Sequence, residues 1–110
     1  MVGDISEYVV MGGGSKSDLW CQVLADVTGK SVTRARSSEA TALGAGIIAA
    51  GCCGLYPTVV AACAAMTGYG DRFDPGPAQR RYDQLYQEVY LGLYPAIQKP
   101  MQRLAQLRER

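Results

Sequence analysis

The stretch Met11-Gly12-Gly13-Gly14-Ser15-Lys16-Ser17-Asp18-Leu19-Trp20 turns a short apolar strand through three glycines straight into a helix. Residues without a Cβ reach left-handed or crowded conformations, and a helix start offers unpaired N–H groups and the positive end of a dipole. Such a layout suits a phosphate or a flat ligand. The spacing matches neither the dinucleotide fingerprint G-x-G-x-x-G nor the phosphate loop G-x-x-x-x-G-K-[ST]. On these residues alone, a glycine-rich turn that binds nothing stands beside the ligand reading.

On either side of the turn the hydrophobic period changes. Glu7 to Met11 reads as a strand, and Leu19, Trp20, Val23, Leu24 and Val27 form the apolar stripe of a helix. Ser15 with Asp18 three places later is a capping pair for that helix, and Gly29 closes it. Ser31 to Arg34 is a second strand. Ser37 and Ser38 are placed to cap a helix beginning near Glu39, in which Gly44 and Gly46 call for a close backbone neighbour, since each weakens the isolated helix by about 1 kcal/mol. Pro57 suits the first turn of a further helix reaching about Met66. Asp74-Pro75-Gly76-Pro77 is a loop. Beyond it Tyr82, Leu85, Tyr86, Val89 and Leu93 share one helical face, with core packing expected for the tyrosines. A helix end is expected around Tyr94 and Pro95, and Pro100 argues against one uninterrupted terminal helix, leaving Met101, Leu104 and Leu107 as a shorter stripe.

Composition bounds the answer. A chain of 110 residues with 48% apolar and 19% charged residues is one globular domain at most. Its 11 Lys plus Arg against 10 Asp plus Glu give a formal charge of +1, so no global field points to nucleic acid or an anionic membrane. Arg80, Arg81, Lys99, Arg103, Arg108 and Arg110 are interspersed with Asp83, Glu88 and Glu109 and read as a solvated helical surface. With no histidine, a histidine-based catalytic site is excluded. Cys21, Cys52, Cys53 and Cys63 have no zinc spacing and read as reduced, buried thiols of a cytosolic protein. Residues 40–70 carry no charge, but Gly51-Cys52-Cys53-Gly54-Leu55-Tyr56-Pro57 breaks them into two buried helices rather than a membrane span. The inventory is α/β, with two short strands and several packed helices, and two strands make a poor sheet by themselves. A part of a larger α/β domain is expected.

The ordered motifs MGGGSKSDLWCQVLADVTGKSV (Met11 to Val32) and EATALGAGIIAAGCCG (Glu39 to Gly54) resemble the C-terminal end of carbohydrate kinases of the FGGY family. YDQLYQEVYLGLYPAI, from Tyr82 to Ile97, is similar to the family's final helical region. The resemblance implies a partial actin-like ATPase (ribonuclease H-like) C-terminal domain. Residues 1–110 would be the C-terminal portion of the second kinase domain, with the N-terminal domain and the earlier part of the second lying outside this chain.

It further implies transfer of the γ-phosphoryl group of ATP, normally with Mg2+, to a hydroxyl of a sugar or polyol, a pentulose such as xylulose being one choice. Gly12, Gly13 and Gly14 match the family's nucleotide-contacting turn, and Ser17 stands where relatives place a small polar side chain near the nucleotide. Lys16 is equally suited to facing solvent. Gly46 replaces an alanine, and Ser31 a proline, common at the matching positions of the family. The Glu39 helix is implied to pack near the crossing of the two domains. The catalytic aspartate and the main sugar contacts belong to the family's N-terminal side, so no catalytic residue and no metal ligand is assigned here. The implied setting is cytoplasmic, with ATP or ADP as cofactor, the N-terminal kinase domain as partner, and neither nucleic acid nor membrane. A homo-oligomer stays open, as does a non-catalytic ATP-binding or structural module of actin-like architecture.

Overall fold

The computed structural model describes residues 5–108. Strand β1 (Glu7–Val10) leads through a 3-10 turn (Gly13–Lys16) into helix α1 (Asp18–Thr28), which returns the chain to β2 (Ser31–Ala35). The two strands pair in parallel, Glu7 with Ser31 through Val10 with Arg34, and α1 is the crossover that parallel pairing requires. Helices α2 (Ala40–Cys52) and α3 (Val59–Met66) follow, then β3 (Tyr69–Phe73). Strand β3 runs antiparallel to β2, giving a three-stranded sheet in the order β1-β2-β3. The expectation of two strands thus misses β3, whose sequence Tyr69-Gly70-Asp71-Arg72-Phe73 has too little apolar alternation to announce a strand.

Two small cores hold these elements. Cys21, Ala25 and Val32 are buried between α1 and the sheet, with Val10, Leu24 and Phe73 against them. Ile47, Ala50 and Ala62 join α2 to α3, with Leu43, Tyr56 and Met66 alongside. Of the four cysteines only Cys21 is buried; Cys52 at the end of α2, Cys53 just after it and Cys63 on α3 are exposed, against the expectation of four buried thiols. The uncharged helices are expected to be buried, yet Ile48 on α2 and Val59 and Val60 on α3 are exposed, because the described chain covers only the faces that α2 and α3 turn to each other.

Caps and prolines depart from expectation by a residue or more. Ser17, not Ser15, caps α1 by accepting from Trp20 N at 3.2 Å, since Ser15 is folded beneath the glycine turn. Gly29 ends α1 as anticipated, at φ +64°. Thr58 caps α3 and Pro57 falls outside it. Ser37 accepts from Glu39 N at 3.2 Å just before α2.

After the Asp74–Pro77 loop, α4 (Gln79–Leu85), a π-helical turn (Tyr86–Tyr90) and α5 (Leu91–Arg108) run on without a break, so α5 contains both Pro95 and Pro100. All of α5 is exposed, so carbonyls that the prolines leave without a donor meet water rather than an apolar core. The tyrosines expected in a core are largely exposed here; Tyr86 stacks on Tyr90 at 5.6 Å between ring centroids. The radius of gyration is 20.4 Å, well above the about 13 Å of a compact hundred-residue domain.

Gly44 and Gly46 have no close backbone neighbour: a Cβ on Gly44 would meet nothing within 4 Å, and one on Gly46 only the Met66 methyl at 3.8 Å. The close approach is at Gly51, where a Cβ would lie 2.7 Å from Val59 Cγ2 and 3.0 Å from Val59 Cα. Backbone cannot swing aside as a side chain does. Gly51→Ala should therefore destabilise the chain by about 1–3 kcal/mol, whereas Gly44→Ala should stabilise it by about 1 kcal/mol through helix propensity. Paired chemical denaturation curves will check the opposite signs.

Candidate functional site

The glycine turn is built on one carbonyl. Gly12, at φ +87° and ψ −176°, occupies backbone space that residues with a Cβ rarely adopt. Its oxygen accepts from Ser15 N at 3.1 Å and from Ser15 Oγ at 2.7 Å, while its own N–H donates to Ser38 O at 3.1 Å. Ser17 N closes the turn onto Gly14 O at 3.2 Å. Ser15 is buried, and its carbonyl takes the Cys21 thiol at 3.5 Å. The turn is thus fastened from below, to the first turns of α1 and to the segment before α2.

Above, it is open. A Cβ added to Gly12 or Gly13 would meet nothing within 4 Å, so the two glycines present bare backbone to solvent next to the start of α1. Gly14 differs, since a Cβ there would come within 3.3 Å of the Trp20 indole. Ser17 spends its hydroxyl on capping α1. Lys16 reaches Glu39 at 3.5 Å, with both side chains mostly in water, so the pair adds little to stability. The four residues expected to meet a nucleotide therefore form one continuous turn, with Gly12, Gly14 and Ser17 also employed in folding.

Sequence reasoning passed over three residues that shape this turn. Ser15 reads as a cap, although a serine three places after Gly12 is equally suited to bonding back to that residue's carbonyl. Cys21 reads as a generic buried thiol. Arg34 reads as part of a strand, yet its guanidinium pairs with Asp18 at the start of α1 and with Asp71 on β3 at 3.0 Å, lies over the Phe73 ring at 5.2 Å from the centroid, and nears Cys21 Sγ at 3.9 Å. The Asp18 hydrogen bond, then the Cys21 contact, move its pKa upward, which keeps it charged at any working pH.

A concave groove of about 420 Å³ lies beside the turn, lined by Val9, Met11, Ala35, Leu43 and Ile47 among others. Its walls are mostly apolar and hold no carboxylate, so it offers packing rather than acid–base chemistry. Among the described residues, no group of three or more His, Cys, Asp or Glu comes together to hold a metal ion. No described helix is long and apolar enough to cross a membrane.

The fold is similar to parts of solved carbohydrate kinases. A ligand-bound xylulose kinase from Lactobacillus acidophilus matches with a TM-score of 0.68 at 19% identity, over 84% of this chain and 19% of that one. A gluconate kinase from Lactobacillus acidophilus matches with a TM-score of 0.67 at 19% identity, over 84% and 18%. The fold is that of the kinases with actin-like ATPase architecture.

Residues 3–52, which hold the turn and the whole of α2, match the C-terminal domain of the FGGY family of carbohydrate kinases, and the chain belongs to that family. Autoinducer-2 kinase of Enterobacter sp. (strain 638) is 42% identical over 92 residues, 77% of this chain and 17% of that protein. Ribulokinase of Mycolicibacterium smegmatis is 43% identical over 92 residues, 82% and 16%. Xylulose kinase of Staphylococcus epidermidis is 30% identical over 91 residues, 83% and 18%. The chain spans about a sixth of the length of these relatives.

The Asp74–Pro77 loop anchors the helices that follow to this site's scaffold. Buried Asp26 on α1 accepts from Gly76 N at 2.6 Å and Gln22 Nε2 at 3.0 Å, and Gln22 also donates to Asp74 O at 2.9 Å. Asp74 accepts from Ser31 Oγ at 2.6 Å and Arg72 Nε at 3.1 Å, and these two contacts, Ser31 first, hold its carboxyl below the usual range. A depressed carboxylate pKa contributes stability above the unfolded value near 3.8 and loses it as pH falls through the lower folded value. Acidification below about pH 4 should therefore weaken the Asp74 contacts with Ser31 and Arg72, and Ser31→Ala should move the Asp74 titration upward. Side-chain carboxyl shifts followed by NMR against pH will read both. Asp26→Ala should cost about 1–3 kcal/mol by stranding the Gly76 N–H.

Proposed function

We propose that residues 1–110 form the C-terminal portion of the second domain of an ATP-dependent carbohydrate kinase, and that their own task is to position the nucleotide. The observation that carries this is the Gly12–Gly14 turn: bare backbone over Gly12 and Gly13, fastened from below, in a chain of the FGGY family. The donors available to an anionic ligand are the backbone N–H groups that follow Gly12, since the Gly12 N–H is bonded to Ser38 O. No side chain blocks an approach to Gly12 and Gly13, and the N-terminal end of α1 favours negative charge.

Gly12, Gly13, Gly14 and Ser17 are the proposed contacts. ATP bound there supplies the γ-phosphoryl group that passes to a sugar or polyol hydroxyl. The chain holds one side of the nucleotide and keeps its phosphates oriented; positioning of this kind is a large part of phosphoryl-transfer catalysis. The accompanying Mg2+ is assigned no ligand in this chain. The proton acceptor for the sugar hydroxyl belongs to the N-terminal kinase domain, the partner this reading requires, in a cytoplasmic enzyme. The acceptor class is the one its relatives' names span, from autoinducer-2 to ribulose and xylulose.

A non-catalytic nucleotide-binding or structural module is the second reading. It draws on Gly14 and Ser17, each of which has a folding role without any ligand. The polypeptide carrying this chain should bind ADP with amide shifts centred on Gly12 to Ser17, and Gly12→Ala should weaken binding roughly tenfold, because φ +87° strains any residue with a Cβ. It should also phosphorylate at least one member of a panel of autoinducer-2, xylulose, ribulose and glycerol. Binding without transfer would favour the second reading, and no shift at the turn in folded protein would overturn the nucleotide assignment.

A further inference from the structure

Beneath the glycine turn lies a charged cluster that the nucleotide contacts do not include. Arg34 stands on β2 opposite Val10, the last residue of β1, and its fork reaches Asp18 on one side and Asp71 at 3.0 Å on the other. The Arg34 side chain is 20% exposed, whereas that of Asp18 is 78% exposed. Its contact with Cys21 Sγ continues to Ser15 O, and Ser15 holds the Gly12 carbonyl, so one series of contacts runs from the guanidinium to the turn.

Charge makes this cluster more than a brace. Asp18 is the acid next in sequence after the three glycines, at the very start of α1. A lone carboxylate there would repel the phosphates that the helix start would otherwise attract. Lys16, the cation closest in sequence to the turn, lies mostly in water 3.5 Å from Glu39, where solvent screens its charge. The fork of Arg34 suits the task, because it grips two carboxylates in a fixed plane and stays charged.

We propose that Arg34 is a positioning residue for the nucleotide: its guanidinium, shared between Asp18 and Asp71, offsets part of the Asp18 charge beside the glycine turn, so that the turn accepts phosphate more readily, and it holds the start of α1 against the sheet. This rests on the nucleotide-binding reading above. Arg34 touches no phosphate itself; it acts through Asp18 and, by way of Cys21 and Ser15, on Gly12.

Titration of ADP into the polypeptide carrying this chain tests the proposal. Arg34→Met should weaken ADP binding roughly five- to tenfold at low ionic strength, with the loss shrinking as salt screens Asp18. Adding Asp18→Asn to Arg34→Met should restore affinity to within about twofold of the wild type. A purely structural role predicts the reverse, since the second substitution removes one more contact. Should Arg34→Met fail to fold, Asp18→Asn alone decides: with Arg34 released from that carboxylate, ADP should bind as tightly as in the wild type or more so. Unchanged affinity in folded Arg34→Met, no recovery in the double variant, or a more than twofold loss in Asp18→Asn would overturn the proposal while wild-type binding left the nucleotide reading standing. Absence of ADP binding by the folded wild type would remove both.

Discussion

The structure around the turn depends on the Gly12 carbonyl being held twice by Ser15, through its N–H and its hydroxyl. A chain leaving a parallel strand must reverse within a few residues to lay a helix across the sheet, and each residue in the bend brings polar backbone groups that need partners. One buried serine beneath one glycine in left-handed space meets that need. It draws the chain inward, so that Gly12 and Gly13 turn outward without side chains. The bend can be this tight because Cys21, one helical turn into α1, fits beneath it and takes up the Ser15 carbonyl.

What surrounds the turn is unevenly covered. Cys21, Ala25 and Val32 make a small sealed core on the α1 side of the sheet, but α2, α3 and α5 each leave large apolar side chains in water. Helix α5 packs on little besides the helical turn before it, which is why the chain is so extended for its length. Burial that a helix does not find within its own chain leaves propensity and solvation to decide its form.

Legibility in the sequence followed local chemistry. The β1, glycine turn, α1, Gly29 and β2 succession was readable because every signal in it is short-range: a change of period, glycines, and a left-handed helix end. The candidate turn residues came out together for the same reason. Strand β3 was not readable, because Asp71 and Arg72 belong to cross-strand pairings with Arg34 and Glu7 that only the fold creates. Ser15 and Ser17 are both plausible caps by composition, and the choice between them is made by Cys21 and Gly12 rather than by propensity. Gly44 and Gly51 show the same limit: both interrupt an apolar helix, but only Gly51 meets the backbone of another element. Arg34 carries no local signal at all, since its importance lies in joining α1, β2 and β3.

The family comparisons bear on what such a segment contributes. Kinases named for autoinducer-2 and for ribulose are 42% and 43% identical to this chain, nearly the same distance, although their acceptors differ. A segment that distinguished acceptors would track one name more closely than the other. Backbone donors have the opposite property: N–H groups of a glycine turn respond to negative charge and shape, not to which sugar stands opposite. On the proposed nucleotide reading the constant partner is the phosphate donor, and a glycine turn braced by Ser15 would serve it unchanged while the acceptor varies.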